Sequence, residues 1–277
     1  MSQLRKRFIR DLKIRNYSSN TIRNYVTAVQ LLSRFYGMCP SAITAEQIKD
    51  YLESLLKNKK SWSNVNIKMS AFNLLYRDTL EQGWKVQTLK RPKSQKKLPV
   101  VFTQEEVTQF LSVIKNVKHR AVMMTIYSAG LRCSEASNLR IRDVDSKRHR
   151  MMIRDAKGHR DREVILSKRL LSYLREYVRL YKPKDYLFYG QHIDRPISTS
   201  SLSKIFKSAV ERSGIKKESH LHTLRHSFAT HLLNKGVDIR IIQKLLGHRS
   251  VSTTVIYCQI SKHRFENTQS PLDDLVI

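Results

Sequence analysis

The sequence predicts a mainly α-helical chain with one small β-hairpin, made of two domains joined by a basic linker. Three observations carry this. Apolar residues recur at helical spacing through most of the chain. Two short β-rich runs, MMIR at 151–154 and EVIL at 163–166, flank a polar segment containing Gly158. Residues 87–100, QTLKRPKSQKKLPV, contain five basic residues, no acid and two prolines, with little that could build a core. The boundaries read from this are a helical domain over 1–86, the linker over 87–100 and a second domain over 101–277.

Each element has its own signal. Leu4, Phe8 and Leu12 mark the first helix, and the series from Ile22 to Tyr36 marks the second, with Ser18 or Ser19 as its N-cap. Thr44 and Gln47 form a capping-box pattern before Ile48, Tyr51, Leu52 and Leu55. A fourth helix is expected over 63–82, stopped by Gly83. These four helices make a small bundle. The second domain opens on another capping box, Thr103 with Glu106, followed by helices to about 114 and over about 120–129. After the hairpin, helices are expected over 168–180, 200–212, 222–234 before Gly236, 238–246 before Gly247, and 252–260.

Charge sets the partner. Lys and Arg number 52 against 23 Asp and Glu, a formal net charge of +29. A field of that size points to a polyphosphate, DNA or RNA. Residues 1–86 hold 15 basic and 6 acidic residues, and 101–277 hold 32 and 17. Both domains are therefore basic, as a clamp gripping a duplex from two sides requires. A membrane surface fits less well, because the charge is spread along the chain rather than gathered on one amphipathic helix. No run of about 18 apolar residues exists to span a bilayer, and residues 1–10 lead into no apolar signal core. Cys39, Cys133 and Cys258 are odd in number and scattered. They make neither a disulfide framework nor a zinc ribbon, and they suit a cytoplasmic protein.

Four segments concentrate reactive side chains. In YSAGLRCSE, residues 127–135, Arg132 lies between a helix end at Gly130 and a new helix, with Glu135 three residues on to orient it. Tyr127 and Cys133 read as packing residues. In HTLRH, residues 222–226, His222 and Arg225 share a helix face and together suit one phosphate, Arg neutralising it and His moving a proton. His226 and His231 read as packing histidines. A metal site from His222, His226 and His231 fits the spacing, but no carboxylate accompanies it and Arg225 would repel a cation, so no metal is expected. His248, beyond the helix stop at Gly247, is followed nine residues later by Tyr257. The hairpin tip offers Lys157 beside Gly158, where a DNA backbone could approach closely. Two arginines, a lysine, two histidines and a nucleophile make one chemical set. Displacing a sugar hydroxyl from a phosphodiester needs cations for the non-bridging oxygens and a proton for the leaving oxygen. A tyrosine nucleophile would keep the bond energy as a phosphotyrosine.

These segments, in this order, resemble the signature boxes of the tyrosine recombinases, the superfamily of phage integrases, Xer-type resolvases and integron or transposon integrases. The resemblance rests on LRCSE, the hairpin AKG, HTLRHSFATHLL and LLGHRSVSTTVIY, and it spans essentially the whole chain. It implies a helical, SAM-like, core-type DNA-binding domain, the linker and a catalytic domain. It further implies that Arg132 and Arg225 bind the scissile phosphate and that Lys157 is the acid for the leaving 5′ oxygen. His222 would transfer protons around the tyrosine, His248 would stabilise the transition state, Tyr257 would be the nucleophile and Glu135 would support Arg132. Linker residues Lys90, Arg91, Lys93, Lys96 and Lys97 would contact DNA. The partner implied is double-stranded DNA carrying a specific recombination site. The assembly implied is a homotetramer, or a heterotetramer with a related subunit, on paired sites and acting through a Holliday junction without metal, ATP or other cofactor. The tail after Tyr257, with Leu272, Leu275, Val276 and Ile277, would pack on a neighbouring protomer, and its QSPLDDL resembles tails of mobile-element integrases. Cys133 in the first box and Ala156 before the hairpin lysine depart from commoner residues without touching a catalytic position. Three alternatives stand beside this: a catalytically silent recombinase-derived DNA-binding protein, a type IB topoisomerase-like relaxing enzyme, and an unrelated basic RNA-binding helical protein.

Overall fold

The structure, a computed structural model, describes residues 3–86, 98–154, 161–248 and 250–259. The chain divides into two compact units at about residue 96.

The first unit is built from α1 (Gln3–Ile14), α2 (Ser19–Tyr36), α3 (Ala45–Lys57) and α4 (Trp62–Leu74). Ser18 is the N-cap of α2, its hydroxyl accepting the Thr21 N–H. Thr44 and Gln47 close both halves of the capping box on α3. The apolar stripes meet in a core that includes Phe8, Leu12, Leu32, Ile48 and Phe72. The fourth helix departs from expectation. It stops at Leu74 and continues as a π-helical turn, Leu75–Thr79. That wider turn buries Leu75 and Tyr76 together and lets the Tyr76 hydroxyl donate to the Pro40 carbonyl at 2.7 Å. The Thr79 hydroxyl reaches Asp11 at 2.7 Å. Tertiary partners thus override a helical period that by itself continued to residue 82.

The second unit opens with α5 (Gln104–Ser112), capped by the Thr103–Glu106 box, then α6 (Val117–Ala129) and the short α7 (Cys133–Asn138). An antiparallel sheet follows, in the order β1 (Val144–Asp145), β2 (Arg150–Ile153), β3 (Arg162–Ile165). Met151 faces Val164 and Ile153 faces Arg162 across β2 and β3. Met151, Ile153 and Val164 all point into the core, as a period of two requires. The added strand β1 is two residues long, too short for a periodic signal, and it returns to β2 through a turn in which Asp145 accepts the N–H groups of Lys147 and Arg148.

Helices α8 (Lys168–Tyr181), α9 (Thr199–Ser213), α10 (His222–Asn234), α11 (Ile239–Leu246) and the single turn α12 (Ser252–Val255) complete the unit, the chain then tightening into a 3-10 turn, Ile256–Gln259. The main core joins α5, α6, α8 and α9 to the sheet, with Phe102, Phe110 and Phe206 in mutual ring contact. A second, smaller core joins α10 and α11 to Tyr257. Helix α10 is covered almost all round: Thr223, Leu224, Arg225, Ser227, Phe228, Ala229, Thr230 and Leu233 are buried. An arginine at the centre of such a helix must have a built environment.

Candidate active site

Two helix ends provide that environment. The last carbonyls of a helix have no partner within it and carry the negative end of its dipole. Helix α6 ends at Gly130 with φ +60, and α11 ends at Gly247 with φ +64, the left-handed conformation glycine tolerates. Arg225 lies between these ends. Its Nη1 donates to the Gly130 carbonyl at 2.7 Å and its Nη2 to the Leu246 carbonyl at 2.5 Å. Three consecutive carbonyls at the end of α11 each accept from a different arginine: Leu245 from Arg162 Nε at 2.8 Å, Leu246 from Arg225, and Gly247 from Arg132 Nη2 at 3.4 Å. The tight stop at Gly247 is packed against Arg162, whose side-chain atoms lie 3.0 to 3.2 Å from where a Cβ would stand.

Glu135 binds the arginines together. Its carboxylate accepts from Arg132 Nη1 at 2.7 Å and from the Arg132 backbone N–H at 2.8 Å. It also takes both ends of the Arg162 guanidinium, at 2.9 and 2.7 Å, and lies 3.7 Å from Arg225. Burial pushes the Glu135 carboxyl up, but the hydrogen bonds and charges of Arg162 and Arg132 outweigh it and hold the pKa down at about 2. Arg225 is pulled down to about 9, chiefly by burial and then by the charge of Arg132, and so stays a cation at neutral pH.

His248 closes one side of this cluster. Its Nε2 is 3.1 Å from Arg225 Nη2 and its Nδ1 is 2.9 Å from the Thr254 hydroxyl. Arginine only donates, so Nε2 accepts, and a neutral ring then carries its proton on Nδ1 and donates to Thr254. The ring is neutral at pH 7 because burial first, then Arg225, Arg132 and Arg162, push its pKa down to about 4. Tyr257 is 3% exposed, and its hydroxyl lies 3.0 Å from His226 Nδ1. Burial raises the Tyr257 pKa, while Arg225 and Arg132 pull it down.

The structure thus brings Arg132, Glu135, Arg225 and His248 into direct contact, with Tyr257 under the charge of both arginines. His222 stands at the start of α10, its ring 6.2 Å from those of His220 and His226. Much of it is open to solvent, yet partial desolvation and then Arg225, His220 and Arg132 lower its pKa. Lys157 and the linker residues Lys90, Arg91, Lys93, Lys96 and Lys97 lie outside the described residues, as does the tail over 261–277.

One residue read from the sequence as packing, and one that the sequence did not single out, stand at the site. His226 is bonded to the Tyr257 hydroxyl, because the 3-10 turn after α12 packs on α10 one residue beyond Arg225. Arg162, at the start of β3, is buried and bidentate on Glu135. The available signal for Arg162 was an arginine on the inward phase of a strand whose next inward residue is Val164. His231 pairs instead with Tyr127, its Nδ1 2.9 Å from the phenol oxygen. Cys133 is half-buried, and burial raises its thiol to about 11, away from reactivity. Among the described residues no three His, Cys, Asp or Glu side chains gather as metal ligands, and no helix is long and apolar enough to cross a membrane.

A mostly helical catalytic unit with a three-stranded sheet and a buried arginine–carboxylate–tyrosine site defines a class, and comparison with known proteins names it. The model of the phage integrase family matches residues 100–264, and that of its N-terminal SAM-like domain matches residues 4–86. The chain belongs to the phage integrase family. It is similar to the tyrosine recombinase XerA of Pyrococcus horikoshii, 35% identical over 269 residues that cover 95% of this chain and 91% of the relative. A crystal structure of XerA recombinase is 30% identical, covers 92% of both chains and superposes with a TM-score of 0.54. The XerH recombinase bound to its difH substrate in a pre-cleavage complex is 25% identical, covers 92% of this chain and 80% of its own, and has a TM-score of 0.72.

Proposed function

We propose that this protein is a site-specific DNA recombinase that cuts and rejoins strands through a covalent 3′-phosphotyrosine on Tyr257. The observation that carries this is the arginine cluster beside a buried tyrosine: Arg225 held between two helix ends, Arg132 tied to it through Glu135, and Tyr257 in their field. Fixed cations of this kind stabilise charge on the non-bridging oxygens as the phosphorus gains its fifth oxygen, and they need no reorganisation when it forms. Tyr257 attacks phosphorus, the bond to the 5′ oxygen breaks, and Lys157 gives that oxygen its proton. The reverse step, with a 5′ hydroxyl from another strand, exchanges partners. His248 donates to the phosphate once its proton moves to Nε2 or a second proton arrives.

A XerH recombinase bound to its difH substrate and a transposon integrase in complex with a circular intermediate DNA, both similar in fold, support double-stranded DNA as substrate. The basic linker, through Lys90, Arg91, Lys93, Lys96 and Lys97, grips the backbone and contributes to salt dependence. Exchange between two sites needs four protomers and passes through a Holliday junction, with the chain after Tyr257 joining neighbours. This chemistry takes place in the cytoplasm and draws its positive charge from side chains, with no cofactor. The test is a nicked suicide substrate, from which the strand beyond the cut is lost. Wild type is expected to accumulate a covalent protein–DNA adduct and Tyr257→Phe to bind the same DNA with none. An adduct at normal yield in Tyr257→Phe would refute the proposal. A tyrosine adduct that relaxes supercoils without paired sites would mark a topoisomerase-like enzyme instead.

A further inference from the structure

The family resemblance gives proton transfer around the nucleophile to His222. The side chain bonded to the nucleophile is a different one. His226 Nδ1 is 3.0 Å from the Tyr257 hydroxyl, with the ring centroids 5.8 Å apart, whereas no hydrogen bond joins His222 to Tyr257 among the described residues. His226 is half-buried and Tyr257 almost wholly so, which leaves water little access to the hydroxyl. The rings of His226, His222 and His220 form a triangle with centroids 6.2 Å apart, and His222 and His220 are both exposed. The triangle therefore leads from the buried hydroxyl to the surface.

We propose that His226 is a catalytic residue, the base that takes the hydroxyl proton of Tyr257 during cleavage and returns it during rejoining. The proposal rests on Tyr257 being the nucleophile. In cleavage the Tyr257 O–H bond breaks and its proton passes to His226 Nδ1. The freed electron pair forms the O–P bond, the bond from phosphorus to the 5′ oxygen breaks, and that oxygen takes its proton from the acid. In rejoining, the 5′ hydroxyl returns its proton to the acid, now in its basic form, as its oxygen attacks phosphorus. The bond from phosphorus to the phenolic oxygen breaks, and the proton held by His226 goes back to that oxygen. His222 and His220 are the exit through which His226 exchanges its proton with solvent.

The surroundings suit this role. His226 faces Tyr257 from the turn after α12, His222 and Arg225 from its own helix, His220 from the segment before that helix, and His248 from the chain after α11. Burial first, then His222, His220 and Arg225, push its pKa down to about 4, so the ring is unprotonated and able to accept at neutral pH. A phosphodiester anion seated on Arg132 and Arg225 offsets part of the positive field, which raises the basicity of His226 when DNA is bound.

The experiment follows adduct formation on the nicked substrate from pH 6 to 9 in wild type, His226→Gln, His226→Asn, His226→Ala and His222→Gln, with DNA binding and thermal melting measured alongside. Positioned bases contribute on the order of 10²- to 10⁴-fold. His226→Gln and His226→Asn are expected to slow adduct formation about 100-fold or more. Their rates should climb with pH, about tenfold per unit where hydroxide replaces the base, while wild type stays flat from pH 6 to 8. Imidazole should restore part of the rate to His226→Ala. His222→Gln should be slower than wild type but keep the flat profile. Wild-type rates or a flat profile in the folded His226 variants would overturn the proposal, as would faster cleavage, the mark of a latch, or a pH slope appearing in His222→Gln instead. A wild-type chain that forms no adduct would refute Tyr257 as nucleophile and this proposal with it, whereas a wild-type adduct with indifferent His226 variants would refute only the latter.

Discussion

In the N-terminal unit Lys57 and Glu53 pair at 2.9 Å with side chains 72% and 61% exposed. In the catalytic unit Arg162 and Glu135 pair at 2.7 Å with side chains 7% and 5% exposed. The distances are alike and the energetics are not. An exposed pair of this kind contributes about 0.3–0.5 kcal/mol and is screened by salt. A buried one costs several kcal/mol to desolvate and stabilises only while every partner is present. Among the described residues of the N-terminal unit the buried charges, Lys68 and Lys85, stand singly on neutral partners, the Asn64 side chain and the Ser41 carbonyl. At this one cluster the catalytic unit buries Arg162, Arg225 and Glu135, and holds Arg132, 18% exposed, against them. Such an arrangement is a poor route to stability and a good one to a fixed positive field.

The contrast breaks most sharply at Glu135. Glu135→Gln leaves Arg162 buried without a charged partner and is expected to destabilise the catalytic unit by about 3–5 kcal/mol, read from urea unfolding. A loss under about 1 kcal/mol, as at the surface, would erase the distinction between the units. Acidification acts on the same cluster. His226 and His248, held near 4 in the fold, take up protons more readily when unfolded, so the stability tied to their neutral forms is lost as pH falls from about 6.5 towards 4. Glu135, held at about 2, keeps its contribution above the ordinary carboxylate range and loses it as pH falls from about 4.5 towards 2. The urea midpoint of the catalytic unit should therefore fall below pH 6.5, and His248→Gln should flatten that fall.

Gly130→Ala tests the helix end that holds Arg225. An added Cβ would lie 2.4 Å from Phe228 Cδ1, on a backbone with φ +60. The expected cost is about 1–3 kcal/mol, with a larger loss of cleavage than of DNA binding because the Gly130 carbonyl moves with it. Thr44→Ala in the N-terminal unit removes one half of a capping box. It should cost about 1 kcal/mol and leave cleavage at saturating DNA unchanged.

What the sequence made legible follows the same division. The helices of both units announce themselves because their apolar periods and caps are local: Thr44 with Gln47 and Thr103 with Glu106 form the boxes their spacing requires. The π-helical turn at Leu75–Thr79 was invisible, because it answers to Pro40 and Asp11, which lie more than 30 residues away in the chain. At the site, Arg132, Glu135, Arg225, His248 and Tyr257 stand out as residue types in ordered boxes. Arg162 lies outside those boxes, and His226 lies inside one but reads as packing, since their roles come from contacts made 27 and 31 residues away in the chain. The carbonyls at the end of α11 carry no side-chain signal at all. Gly247 read as a helix stop, and the stop is what aims three carbonyls at three arginines.

The proposed function requires the buried cation cluster to serve Tyr257 as a nucleophile. Its most direct test is to trap wild-type protein on a nicked duplex carrying its own recombination site, digest the adduct with protease and nuclease, and locate the nucleotide by mass spectrometry. A single modified peptide with a 3′-phosphonucleotide on Tyr257 is expected. A nucleotide on any other residue, or none on protein that binds and aligns the site, would contradict it.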